Sequence, residues 1–247
     1  MPAFLPHGIV HQRDLPSLAR IMASGQSGRL EVLPFSEMAA VLSRFEGEAQ
    51  AIAEAFGSST DIATLAIEHH RVLAEIAARV DVVPMRMRAL LPDIASFAGS
   101  IEGHAGDFRR LLTVLGGQVE LAVTLRPAAR PAPLPGPAPT DGRGYLRQRK
   151  AVKDDKRHGT LRLEEAMALV EAALAPWISR ACDVLVPLHG ANPTRRDRAL
   201  LVARENLDAI ADQLPAIAER LSEAGVTLDV SGPWAPFHFL EAEAKHG

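Results

Sequence analysis

Hydrophobic and polar positions change period repeatedly along this chain. AFLPHGIV, residues 3–10, is a short apolar run suited to a strand, and RLEVLPF, 29–35, alternates with period two as a half-buried strand does. Between them DLPSLARIMAS spaces Leu15, Leu18 and Met22 at helical intervals. AAVLSRF, 39–45, fits either a strand beside 29–35 or the start of a helix running into FEGEAQAIAEAF. The segment SSTDIATLAIEHHRVLAEIAARVD predicts a helix, capped by Ser59, Thr60 or Asp61, with Ile62, Leu65, His69, Val72, Ile76 and Val80 on one apolar stripe. VVPMRMR then predicts a strand, and GDFRRLLTVLG a helix ended by Gly116 and Gly117.

The second half repeats this order. QVELAVTLRP predicts a strand, LRLEEAMALVEAALAPW a helix, ACDVLVPLHG and RALLVAR two strands, NLDAIADQLPAIAERLSEAG a helix and VTLDVSG a last strand. Gly225 stands where the helix has to stop. Strand, helix, strand, strand, helix, strand is the split βαβ order. With 39–45 as a strand the first half has it too. The expected fold is α+β: two tandem ferredoxin-like domains, each an antiparallel sheet with helices on one face. The expected division is 1–116, an N-terminal α+β domain with a connecting helix, and 117–247, a ferredoxin-like domain. The latter contains a proline-rich insertion at about 127–142 and an aromatic tail at 231–240. Alternating prolines in RPAARPAPLPGPAPTDG stiffen the insertion and remove donors, so it reads as a spacer outside any core.

Composition narrows the function. At 47% hydrophobic residues over 247 positions the chain has material for sizeable cores, and a net charge of −3 supplies no global field for nucleic acid or an acidic membrane. No stretch reaches the roughly 20 apolar residues of a membrane span, and no secretory signal is readable at the start, so the expected location is the cytoplasm. Cys182 is the single cysteine, which excludes an internal disulfide or a thiolate cage and is expected to be buried.

Candidate chemistry is sparse. His69 and His70 are neighbours on a helix and diverge by about 100°, which suits a packed histidine beside a surface one better than a shared metal. No phosphate loop, nucleophile elbow or helical metal-ligand pair is present. No catalytic residue, metal or cofactor is assigned. The basic run Arg143, Arg147, Arg149, Lys150, Lys153, Lys156 and Arg157 offers an alternative, an RNA-binding ferredoxin-like module using 143–157. RNA-binding sheets of this fold stack bases on aromatics of the central strands, and QVELAVTLRP and RALLVAR have none.

The densest signal is SGPWAPFHFL, 231–240, in a chain with only 4% aromatics. Gly232 permits a sharp exit from the last strand, and Pro233 and Pro236 stiffen the presentation of Trp234, Phe237 and Phe239. Either these rings lock the tail onto the protein itself or some of them meet a hydrophobic partner.

The segment resembles the GPWPPYxF-like signature near the C-terminus of the GvpL/GvpF family of gas vesicle proteins. HHRVLAEIAARVDVVPMRMR is similar to the family's helix leading to a PMR strand, GGQVELAVTLRP to its strand before a variable insertion, GRGYLRQRK to the start of its next helix, and ALLVARENLDAIADQL to the pattern that follows. Ala235, Phe237, His238 and Met87-Arg88 depart from the usual proline, tyrosine, small polar residue and Phe-Gly. The resemblance implies a non-enzymatic gas vesicle accessory protein, a minor structural component or assembly factor. Its implied partners are the hydrophobic shell protein GvpA and other gas vesicle accessory proteins, with no nucleic acid and no membrane. Transferred by motif, the candidate residues for partner binding or an interdomain clamp are Gly232, Pro233, Trp234, Phe237 and Phe239, then Tyr145 and Leu146, then Pro84, Met85 and Arg86.

Overall fold

The computed structural model describes residues 2–23, 29–46, 59–87, 90–128, 142–184 and 195–240. Its contacts divide the chain into two units, Met1–Glu120 with Gly232–Gly247, and Leu121–Ser231. Most of the proline-rich segment, 129–141, and the end of the second expected strand of the second half, 185–190, lie outside the described residues.

In the first unit the strands are β1 (Ala3–His11), β2 (Arg29–Phe35), β3 (Met38–Phe45) and β4 (Val83–Pro84), in the order β2-β3-β1-β4. Helices α1 (Leu15–Ala23) and α2 (Ser59–Ala77) supply the crossovers of the split βαβ unit. The ambiguous segment 39–45 is a strand, paired antiparallel with both β1 and β2. A tight turn at Ser36 (φ 44°) joins it to β2, with Phe35 opposite Met38 across the hairpin. Among the described residues of the expected strand VVPMRMR, only Val83–Pro84 pairs as a strand, followed by a bond from the Met85 N–H to the His7 carbonyl (2.8 Å).

The central strands are buried without interruption because both faces of the sheet are covered. Val10, Ala39 and Val41 pack with Leu18 of α1 and Val72, Leu73 and Ile76 of α2. Phe4, Ile9, Met38, Ala40 and Leu42 point the other way. They meet Ile101 of α3 (Ile94–Gly103) and Leu112 of α4 (Ala105–Val114), a helix pair additional to the split βαβ order. The sequence reading found α4 but not α3, whose start is capped by Asp93 accepting from the N–H groups of Ala95 (2.9 Å) and Ser96 (3.3 Å).

The second unit repeats the topology. Its sheet has the order β6-β7-β5-β8, built from β5 (Gln118–Pro127), β6 (Ile178–Asp183), β7 (Arg196–Ala203) and β8 (Val226–Trp234). Helix α5 (Gly142–Leu174) packs on α6 (Leu207–Glu223) and on β7. Leu163, Ala166, Met167, Val170 and Leu174 of α5, and Ile210, Ile217 and Leu221 of α6, are buried at helical spacing. Gly225 follows α6 with φ 70°, as its place at a helix end requires.

Four expectations are corrected. The helix expected over 161–177 begins at Gly142, so the basic stretch 142–157 forms its first half. Ile62 is 50% exposed, because the apolar stripe of α2 begins to meet the sheet only below it. Cys182 is partly exposed, since β6 is an edge strand. The aromatic tail was expected to belong with the second domain, but residues from Gly232 onward group with the first unit, whose core Ala235, Phe237 and Leu240 complete.

Candidate functional site

The polar heart of the first unit starts at an irregularity in β1. Pro6 pairs with Leu42 and Gly8 with Val41, so His7 is an extra residue, and a bulge of this kind re-aims the side chain. His7, 1% exposed, brings Nδ1 to 2.9 Å from Nδ1 of His69 on α2, and its Nε2 to 2.7 Å from the Ser43 hydroxyl on β3. His69 Nε2 lies 3.0 Å from the Met85 carbonyl. A carbonyl only accepts, so His69 donates from Nε2 and its Nδ1 is an acceptor. His7 then donates from Nδ1 and accepts the Ser43 O–H at Nε2. Both rings are neutral in this chain of bonds, and burial followed by repulsion from His69 pushes the His7 pKa down to about 3. Burial also lowers that of His69, partly offset by its bond to Met85.

Met85 is therefore held from both ends of its peptide units: its N–H by His7 and its carbonyl by His69. Pro84 is buried in β4, Met85 packs in the core layer that contains Leu240, and Arg86 is exposed. This part of the PMR motif is a structural hook between β1, α2 and β4.

The tail is anchored by Glu120, a carboxylate only 3% exposed on β5. It accepts the backbone N–H of His238 at 3.0 Å and faces His238 Nδ1 at 2.6 Å. Val119 and Leu121 occupy one phase of β5 and Glu120 the other, so an acid at a buried strand position was the available sequence signal. Because one of the two bonds comes from the backbone, a small polar residue at 238 would keep it. Around this anchor Ala235 (1% exposed) and Phe237 join the core layer under α1 and α2, Leu240 joins the opposite layer, and Phe239 is buried.

Trp234 and Phe237 meet His70 on α2, the first at a ring separation of 4.7 Å and the second stacked at 5.9 Å. Beside them runs a cleft of about 720 Å³ between the outward face of α2 and the segment Gly232–Trp234. Ala66, Ile67, Ala74, Ala78, Pro233 and Trp234 make it apolar. Gly232 lies at φ 137°, where only glycine is unstrained. The structure thus gathers Gly232, Pro233, Trp234 and Phe237 around α2, and places Met85 in the layer that Leu240 joins. Tyr145 and Leu146 lie in the first turns of α5, in the other unit. Sequence reasoning missed His7, Ser43 and Glu120.

Among the described residues no cluster of three side chains is suited to a metal, and no helix is long and apolar enough to cross a membrane. The arrangement presents hydrophobic contact area beside a tail anchored by Glu120, which suits binding.

Comparisons with known proteins agree with one another. Gas vesicle protein L of Streptomyces sp. (strain CB03234) is 28% identical over 191 residues, 72% of this chain and 69% of that protein. The crystal structure of gas vesicle protein GvpF from Anabaena sp. PCC7120 shares the fold with a TM-score of 0.65 at 13% identity, covering 97% of this chain and 96% of that one. GvpF from Microcystis aeruginosa gives 0.62 at 13% identity, covering 96% and 98%. The tandem ferredoxin-like architecture is shared with these two GvpF structures. The family described as gas vesicle synthesis protein GvpL/GvpF matches residues 7–241, and the chain belongs to that family.

Proposed function

We propose that this protein is a non-enzymatic accessory factor of gas vesicle formation that binds the hydrophobic shell protein GvpA, alongside other accessory proteins, and acts in the cytoplasm and at the vesicle. The observation that carries this reading is the family match across 7–241. Physical sense supports it. A subunit that will face gas aggregates in water, and a soluble partner that covers its apolar surface holds it in solution by mass action. Trp234, partly buried at the edge of the cleft, is the residue of the tail motif best placed to touch such a partner, while Phe239 acts through the fold.

The test is co-purification with the shell protein, using wild type, Trp234→Ala and Phe239→Ala, with melting curves for each. Wild type is expected to retain the shell protein and to delay its sedimentation as aggregate. Trp234→Ala is expected to bind less with little change in melting, and Phe239→Ala to melt earlier. Shell protein that aggregates equally fast with and without the wild-type chain would overturn the proposal.

A further inference from the structure

The outward face of α2, which lines the cleft beside Trp234, carries a pattern of charge and size of its own. Ile67 is 70% exposed at its centre, in line with Ala74 and Ala78, and the cleft opens beside it. Along one flank of that face the charges alternate: Glu68, Arg71, Glu75 and Arg79. Within the chain Arg71 bonds Glu68 (2.8 Å) and Glu75, and Arg79 reaches the Glu75 carbonyl (2.7 Å). Read backwards, the alternation has the opposite sign at every place.

We propose that this face takes a second copy of the same chain, with the two α2 helices antiparallel about a twofold axis near residue 73. In antiparallel helix pairs each flank faces its own counterpart, and a twofold interface must be self-complementary. With that axis Glu68 faces Arg79 of the second copy and Arg71 faces Glu75, so each of the four charges on one helix meets the opposite sign. In the same register Ile67 comes opposite Ala78, a large side chain over a small one, so both copies of Ile67 leave water. The other flank brings the two Trp234-lined clefts toward each other. One register satisfies charge and size together. A parallel pair, or a shift of one helical turn, sets Glu against Glu or leaves Ile67 over a charged side chain.

Sedimentation across a concentration series tests this, because the chain mass is 26.5 kDa and association doubles it. Wild type is expected to form dimers, and Ile67→Glu to weaken them about tenfold or more without changing the melting curve, since Ile67 is exposed in the monomer. Glu68→Arg and Arg79→Glu are each expected to weaken self-association by setting like charges opposite one another twice. Mixing those two variants is expected to restore association as a heterodimer, in which both contacts are again of opposite sign. Wild type that remains monomeric at every concentration overturns the proposal, as does a mixture no more associated than its components. If Ile67→Glu instead abolishes retention of shell protein while wild type alone stays monomeric, the face belongs to the shell protein and the second copy is wrong. Dimerisation with no effect on shell retention would leave the accessory function standing on its own test.

Discussion

Acid should unfold the first unit through His7 and His69. Burial and the neighbouring ring hold His7 at a pKa of about 3 against an ordinary 6.5, while in the unfolded chain it titrates normally. Above pH 6.5 both states are neutral and the bond chain contributes in full. As pH falls from 6.5 toward 3 the unfolded state takes up a proton that the folded state refuses, so stability drops by about 1.4 kcal/mol per pH unit. At pH 5 the loss from His7 is roughly 2 kcal/mol, and below about pH 3 it stops growing. His69 adds to the loss in the same direction, because its folded pKa is lowered too. The carboxylates held below their usual range, Glu37, Asp93 and Asp183, titrate at lower pH and do not disturb the window between 6.5 and 5. The chain has two tryptophans, so a Trp177→Phe background leaves Trp234 as a reporter of the first unit. Urea unfolding of that protein at pH 7.5, 6 and 5 should give midpoints that fall with pH. His7→Gln, which keeps a donor and an acceptor but does not titrate, should lose stability at neutral pH and show a shallower pH dependence. Equal slopes for the two proteins between pH 6.5 and 5 would refute the neutral bond chain.

Two further substitutions probe the scaffold. A methyl group at Gly8 would lie 2.7 Å from Val82 Cγ2 and 2.9 Å from the Val83 carbonyl, so Gly8→Ala should destabilise the first unit by about 2 kcal/mol in the same urea assay. Glu120→Ala removes both acceptors of His238, and should cost about 2 kcal/mol and make the segment after Trp234 the first site of limited proteolysis.

Much of this architecture is legible in sequence because period and punctuation act locally. The alternation of RLEVLPF, the stripe from Leu65 to Val80 and the glycine at 225 all take the forms that their spacing predicts. What escaped depends on partners distant in sequence. The helix at 94–103 has a weak local signal, an Asp cap before a short mixed segment, and is held by contacts with Phe4 and Met38 from the start of the chain. His7 and His69 are 62 positions apart, and Glu120 and His238 are 118 apart. Each looks like an isolated polar residue until the fold supplies the other. The expected strand after Val82 shrank for the same reason: the Met85 N–H still bonds the His7 carbonyl of β1, but the Met85 carbonyl turns to the His69 side chain on α2.

The tail motif shows why residue clustering alone does not name a binding site. Its residues divide by the direction in which the backbone turns them. Ala235 and Phe239 are buried, Phe237 packs under α1 and α2, Leu240 fills the opposite layer, and His238 is held by its own N–H. Truncating Phe239 removes a fully packed ring, which typically costs about 3–5 kcal/mol, enough to unfold a marginal domain and abolish any binding indirectly. Trp234 differs: it is partly exposed, lies against His70 and borders the cleft, so its loss leaves the buried part of the tail in place. A binding defect in a variant with Phe237 or Phe239 changed would therefore report on folding first. The same defect in Trp234→Ala, with unchanged melting, would report on the surface itself, and only that comparison separates recognition from support.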